Sequence, residues 1–497
     1  MSKELMDEEA TRYEEDTEYK REKIQVLKDL GINPYNGSFY KTHDIEEIIN
    51  QADNLVNKDV KVKIAGRIMA LRRHGKAIFA DLQDRTARIQ IYFRKDTIGE
   101  DSFTLLREIE VGDVIGVEGI IFRTHAGELT VLVEKFTLLS KCLRPLPEKW
   151  HGLKEVEVRY RKRYLDLIMN PNVRRIFYLR SQLLKELRIF LDQKGFWEVE
   201  TPMMQVIPGG ALARPFKTFH NALGMELYLR IAPELFLKRL IIGGLEKVYE
   251  INRSFRNEGI STRHNPEFTM LELYQAYADY KVMMELSEEM LSQVVKKITG
   301  SYKIEYQSMA LDFTPPWRRI SLPQTIQELV GVDIVEDSLE TIRAKAKERG
   351  LIYEDNWDRG KFVNEFLEKF VQPQLINPTF VFDYPVEISP LAKAKKDNPQ
   401  LAERFELFIG KEEVGNAYSE LNDPFEQKER FVDQLRKREK GDLEAHLIDE
   451  DYIEALEYGM PPTGGLGIGI DRLMMLITNS PSIREVILFP LLRSSVD

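Results

Sequence analysis

Residues 254–277 read SFRNEGISTRHNPEFTMLELYQAY, and this stretch decides how the rest of the chain is read. A polar run, Arg256-Asn257-Glu258-Gly259, leads into a loop holding Arg263, His264, Asn265 and Pro266. An apolar run then begins at Phe268. Strand periodicity puts Phe268, Met270, Glu272 and Tyr274 on one face of it. A structural hairpin is polar on one side and plain on the other. This one carries acids, arginines, a histidine and aromatics within two dozen residues.

Working outward, ELYLRIAPEL and EKVYEINRSF precede it as further strand-like runs. Beyond Asp279, Met283, Leu286, Met290, Val294 and Ile298 recur at helical spacing up to Gly300. Residues 171–195 predict a long helix with Phe177, Leu183, Leu184, Leu187 and Phe190 at near-helical intervals, followed by a strand, GFWEVETPMM, closed by Pro202. Between Val60 and Leu139 the period is that of strands. VKVKIAGRIMAL, AIFADLQD, ARIQIYF, DVIGVEGIIFRT and ELTVLVEKFTLL are five runs that suit a small β-barrel of the OB kind. Residues 1–58 predict a helical extension, with one charged helix ending at Gly31. Residues 59–143 predict the barrel and 144–170 a linker, opening on RPLPEKWHGL. Residues 171–497 predict a larger mixed domain, with a helical insertion near 300–380 whose Trp357–Gly360 run carries no reading. The class is α+β.

Composition sets outer limits. At 497 residues the chain exceeds one domain, and no apolar run approaches the ~20 residues of a membrane span. The charged N-terminus lacks an apolar core, which argues against a secretory signal and for the cytoplasm. One cysteine, Cys142, excludes an internal disulfide, and seven histidines without paired spacing argue against zinc. A net charge of −10 excludes an all-over basic nucleic-acid binder but not a local basic face.

Two further stretches carry chemistry. In RFELFIGKEEVGNAYSEL a two-residue turn at Gly410-Lys411 would place Phe408 opposite Glu413, with Glu406 a diagonal neighbour. Two carboxylates so held repel unless a cation lies between them. Spacing alone favours a pair of solvated surface glutamates. A regular ladder would turn Asn416, Tyr418 and Glu420 away from Glu413, and only a bulge around Val414-Gly415 would bring all four to one cavity. Residues 464–472, GGLGIGIDR, predict a glycine-rich loop before a helix. It is G-x-G-x-G rather than G-x-G-x-x-G and lacks a P-loop lysine, so neither a Rossmann site nor a P-loop is indicated.

FRNEG…RHNPEFTMLE (motif 2, about 247–277) and GLGIGIDR (motif 3, about 461–490) resemble the class II aminoacyl-tRNA synthetases, and in detail the lysyl-tRNA synthetases of bacterial type. The long helix and strand of about 171–204 are similar to motif 1, which in the family forms the dimer interface. The resemblance implies a catalytic domain on an antiparallel sheet with flanking helices, a homodimer, and ATP as co-substrate. It implies that Arg256 and Arg472 contact phosphate and are catalytic. Glu258, His264, Asn265 and Phe268 would also serve ATP. Glu406 and Glu413 would hold Mg2+, more than one ion per site. It implies an amino-acid pocket of Gly210, Glu234, Arg256, Glu272, Tyr274, Asn416 and Glu420.

Three glutamates around one pocket suit a substrate with two ammonium groups. Glu234 is expected on the α-ammonium, and Glu272 or Glu420, with Tyr274, on the ε-ammonium. An aspartate pocket would need a cation where this chain offers acids. In this subgroup the OB-fold holds the anticodon, and Arg72, Phe79 and Gln90 match the reading positions. The expected reaction is ATP-dependent ligation of L-lysine to tRNA(Lys) through a lysyl-adenylate. Two rival readings are a ligase of the same scaffold that charges a non-tRNA acceptor, and a catalytically dead RNA-binding regulator.

Overall fold

A computed structural model describes residues 17–56, 58–147, 156–442 and 444–493. The first sixteen residues of the expected N-terminal helix, and residues 148–155 of the expected linker, lie outside these. The chain forms two compact units, Met1–Leu153 and Lys154–Asp497. Residues 156–169, expected within the linker, instead form two helices of the second unit, Val156–Arg161 and Arg163–Met169. Arg163 is fully buried there. It bonds Asp166 at 2.7 Å and the carbonyls of Arg484, Ile487 and Leu488, which ties this segment to the far end of the unit.

In the first unit the five strands Lys61–His74, Ala77–Gln83, Arg88–Arg94, Val114–Arg123 and Leu129–Ser140 close into a barrel. Alternate residues such as Ile78, Ala80 and Leu82 fill it, as the period of two requires. The helix over 17–29 ends before Gly31, whose φ of +72° is a left-handed helix terminus. Leu27 enters the barrel core, and Lys23 pairs with Glu110 at 3.1 Å.

The second unit is built on an eight-stranded sheet. Its order is Arg318–Ser321, Thr379–Pro385, Leu401–Ile409, Glu412–Ser419, Thr463–Gly469, Glu267–Ala276, Lys247–Phe255, Trp197–Glu198. The six central strands are antiparallel, and each edge strand pairs in parallel. One face carries the main core, where Leu271, Leu273, Leu466, Ile468 and Ala417 meet the helices Pro171–Gln193, Tyr280–Thr299 and Ile470–Ile477. The opposite face has two smaller cores and leaves a gap between them. One gathers Val381, Tyr384 and Phe408 under the helices of residues 322–371, and the other gathers Val248 and Tyr274 under Glu234–Ile242 and Glu450–Glu457.

Three expectations are corrected. The 300–380 insertion is not simply helical. It opens with a hairpin, Lys303–Tyr306 with Met309–Asp312, and supplies the sheet's edge strand Arg318–Ser321 before its helices begin. Those runs are too short for periodicity to separate from loop. Within it, Asp358 caps the Arg359–Phe366 helix and Arg359 donates to the carbonyls of Ile334, Val335 and Asp337, so the WDRG run is a structural clamp. The run ELYLRIAPEL splits, with a strand ending at Leu229 and a helix starting at Glu234 behind Pro233. Finally, the glycine-rich loop is a strand, Thr463–Gly469, at the middle of the sheet.

Candidate active site

The opening stretch forms two paired strands joined by the 256–266 loop. Phe255 faces Glu267 across the ladder, and the Arg256 amide donates to the Pro266 carbonyl at 2.9 Å, closing the loop's neck. Glu272 sits between Glu250 on one side and Gly467 on the other. Tyr274 faces Gly465 and Met270 faces Gly469. Across the glycine strand, Asn416 pairs with Gly467 and Tyr418 with Gly465. Three alternate glycines therefore form a bare floor between two rows of functional side chains, while Leu466 and Ile468 point into the core. A cavity of about 300 Å³ lies over that floor.

The structure brings to this one cavity every residue expected on ATP, the metal and the amino acid, from Gly210 and Glu234 through Arg256, Glu272 and Asn416 to Arg472, with the exception of Glu406, which stands just behind its wall. The expected bulge is present. Leu407 pairs with Gly415 but Phe408 with Glu413, so Val414 is left over and drops into the core. That one-residue offset turns Glu413 to the same side as Asn416 and Tyr418. The Gly410-Lys411 turn has φ of +61° and +66°, the two-residue hairpin form.

At the end holding Arg256 and Arg472, the Arg256 guanidinium lies over the Phe268 ring at 5.0 Å, and its buried Nε has no hydrogen-bond partner among the described residues. Arg472, third in its helix, donates to the Glu413 carbonyl at 2.7 Å and reaches its carboxylate at 3.2 Å. His264 lies beside Arg472 at 3.4 Å, with Ser261 on its other nitrogen at 3.0 Å. Burial, and then the Arg472 charge, hold the imidazole below its usual range. Asn265 is buried, donates to the Glu267 carbonyl at 2.6 Å, and leaves its Oδ1 unpartnered. Arg263 crosses to the buried Glu412 at 3.0 Å.

Glu406 is held by Arg404 at 2.6 Å and by the Tyr384 hydroxyl at 2.9 Å. Burial, then the neighbouring Glu413 carboxylate, pushes it up to about 7. Two hard oxygen donors whose charges oppose each other fit a divalent cation that also binds phosphates. Among the described residues no group of three or more such ligands forms a closed cage.

At the other end Gly210, with φ of +89°, passes close to Glu234. A Cβ there would lie 2.8 Å from that of Glu234. Glu234 is buried at the first turn of its helix and accepts the Tyr418 hydroxyl at 2.7 Å. Glu272 makes no salt bridge among the described residues. Burial, then Glu234, pushes it up to about 8, and the Tyr274 hydroxyl is 3.4 Å away. Burial and Glu234 also push Glu420 up, against the pull of Lys238. Sequence reasoning missed Lys238, which is fully buried between Glu234 and Glu420. The E-x-x-x-K spacing in ELFLK would have pointed to it had the segment been read as helix. It also missed Arg404, which orients Glu406 and Asn416 together. Asp471 has a structural task, accepting the Thr269 amide at 2.7 Å and pairing with Arg180 at 2.6 Å.

In the barrel unit, Phe79 is half-buried on the outer face, stacked on Tyr92 with centroids 4.4 Å apart. Arg72 donates to Asp81 at 2.8 Å and to Gln90 at 3.0 Å, and Gln90 donates to Thr130 at 2.9 Å. The three expected residues share one face, to which the structure adds Tyr92 and, 6.1 Å from it, Phe122.

Comparisons with known proteins fit both units. Residues 155–493 match the family described as tRNA synthetases class II (D, K and N). Residues 62–139 match the OB-fold nucleic acid binding domain. The chain is 59% identical to a lysine–tRNA ligase of Carboxydothermus hydrogenoformans, covering 95% of this chain and 96% of that protein. It is 58% identical to one of Pelotomaculum thermopropionicum (95% and 94% covered) and 54% identical to one of Bacillus cytotoxicus (96% and 97%).

Proposed function

The chain belongs to the class II tRNA synthetases of the D, K and N group, and from that premise we infer that it joins L-lysine to tRNA(Lys) at the expense of ATP. The observation that carries the choice of amino acid is the convergence of Glu234, Glu272 and Glu420 on one buried cavity wall, with Arg256 at the far end. A diamino acid offers two ammonium groups to the acids and a carboxylate to the arginine. An uncharged analogue would leave buried carboxylates unpaired, which is a strong basis for rejection.

Catalysis is positioning and charge neutralisation, with no protein nucleophile. The lysine carboxylate attacks the α-phosphorus in line, its oxygen bonds phosphorus, and pyrophosphate leaves with the displaced electron pair. Arg256 bridges the incoming carboxylate and the α-phosphate, and Arg472 meets the triphosphate. Phe268 offers its ring to adenine and Glu258 accepts the adenine amino group. Neutral His264 and Asn265 line the same wall. Glu406 and Glu413 would hold Mg2+, which when bound supplies positive charge against the phosphates. In the second half-reaction a tRNA 3′-terminal hydroxyl attacks the lysyl carbonyl and AMP leaves.

The tRNA is gripped at its anticodon by the barrel face of Arg72, Phe79 and Gln90, where a splayed base can stack on the Phe79–Tyr92 pair. Two copies would pair through the motif 1 helix and strand, where Tyr178, Trp197 and Met204 are exposed. Among the described residues no helix is long and apolar enough to cross a membrane. ATP–pyrophosphate exchange across the twenty amino acids tests the reading. Exchange with lysine and little with the others is expected. Exchange driven by aspartate or asparagine would overturn it, as would Arg256→Ala retaining near-normal lysine-dependent exchange.

A further inference from the structure

One cation stands behind the acidic wall. Glu234 and Lys238 are four residues apart on the Glu234–Ile242 helix and so share a face. The Lys238 ammonium contacts Glu234 Oε1 at 2.6 Å and also pairs with Glu420 through Oε2. Lys238 has no exposed surface and is not part of the cavity lining. The rings of Tyr418 and Tyr452 flank its ammonium at 5.6 and 6.0 Å. The oxygens that Lys238 does not take are those on the cavity side. Glu234 Oε2 meets the Tyr418 hydroxyl, and Glu420 Oε1 has no hydrogen-bond partner among the described residues and fills the space where residue 465 would carry a Cβ.

We propose that Lys238 is a positioning residue for the amino-acid substrate. By holding the rear oxygens of Glu234 and Glu420 it fixes two buried carboxylates side by side and leaves their other oxygens, Glu234 Oε2 beside the Tyr418 hydroxyl and Glu420 Oε1, as acceptors for ammonium groups. This rests on the lysine reading above. Without an internal cation the two acids, facing each other in a dry wall, would swing apart or take up protons, and either change removes an acceptor. The division of labour also explains how three glutamates share one wall. Glu234 and Glu420 share one internal cation before substrate arrives, while Glu272 pairs with none among the described residues. A purely structural role is a poor account, because a buried ion pair is weak ground for stability and an apolar side chain of similar volume would pack there at less cost.

Lys238→Met tests this in lysine-dependent ATP–pyrophosphate exchange by the full-length enzyme. Loss of one partner of a buried charge pair predicts a lysine KM raised ~30-fold or more, with the KM for ATP within about threefold of the parent. A lysine KM within about threefold of the parent, with the ATP KM also kept, would overturn the proposal. If the variant does not fold, a crystal structure of the parent with lysine bound decides. Lys238 should keep both carboxylates while the substrate takes the other oxygens, and a substrate ammonium displacing Lys238 from either acid sinks the idea. A parent enzyme with no lysine-dependent exchange would instead remove the functional reading itself.

Discussion

The bare glycine floor makes a graded prediction. A Cβ at residue 465 would overlap the Glu420 carboxylate and lie 2.6 and 3.0 Å from two carbons of the Tyr274 ring. At 467 its nearest neighbour is the Met270 methyl at 3.3 Å, the movable end of a flexible side chain. At 469 the nearest atom is the Val414 carbonyl oxygen at 3.6 Å, an ordinary contact. None of the three has a positive φ, so alanine brings no backbone penalty and the effect is steric alone. Overpacking of this kind costs about 1–3 kcal/mol, which is roughly 5- to 150-fold in an equilibrium constant. At 465 the groups that must move, Glu420 and Tyr274, are among the proposed lysine ligands. Gly465→Ala should therefore raise the lysine KM by that factor in pyrophosphate exchange and leave the KM for ATP nearly unchanged. Gly467→Ala should give a smaller rise, and Gly469→Ala a change in lysine KM of about twofold or less. An unchanged lysine KM in Gly465→Ala, or an equal rise at 465 and 469, would refute the idea that absent side chains shape the amino-acid end.

Other tests address separate parts of the site. Glu272, pushed up to about 8, is protonated in the empty pocket below that pH, whereas an ammonium ligand needs its carboxylate. The lysine KM should thus fall as pH rises from 6 toward 8, by at most ~tenfold per unit for one proton, and Glu272→Gln should flatten that profile. Glu406→Gln should raise the Mg2+ concentration giving half-maximal exchange, and an unshifted Mg2+ titration would count against Glu406 as a ligand. Phe79→Ala should weaken aminoacylation while leaving lysine-dependent exchange intact, and equal loss of both would make Phe79 structural. Asp471→Ala leaves Arg180 without its buried partner and frees the Thr269 amide. A destabilisation of about 3 kcal/mol or more is expected, read as a lowered thermal transition.

What could be read beforehand follows from the range of each signal. The barrel was legible because five alternating runs separated by turn residues are local facts. So was the Val414 bulge, because Glu413 and Asn416 can face one cavity only if the side-chain period slips by one residue. The glycine strand was misread because G-x-G-x-G lacks the side chains that mark a strand, and its place comes from its neighbours on both sides. Glu234 looked like part of a strand because the two residues after Arg230 continue the apolar run, whereas Pro233 starts a helix. With that turn missed, Lys238 four residues on was invisible. The edge strand Arg318–Ser321 is only four residues long and pairs with a segment some sixty residues away, a distance no window of sequence spans.

The Glu267–Ala276 strand has a mechanical meaning. It is bonded to Lys247–Phe255 over Glu267–Gln275 and to Thr463–Gly469 over Met270–Ala276, so from Met270 onward it can neither stretch nor slide without breaking two ladders. Phe268 and Arg256 mark one end and Glu272 with Tyr274 the other, which makes the strand a ruler for the substrate. A diamino acid shorter by one methylene can satisfy either mark but not both at once. Its ammonium can be seated with the carboxylate short of the α-phosphorus, or the reverse. Chain length is then measured by failure of alignment rather than by collision, and a short analogue should bind as an occupant of the pocket that rarely reacts.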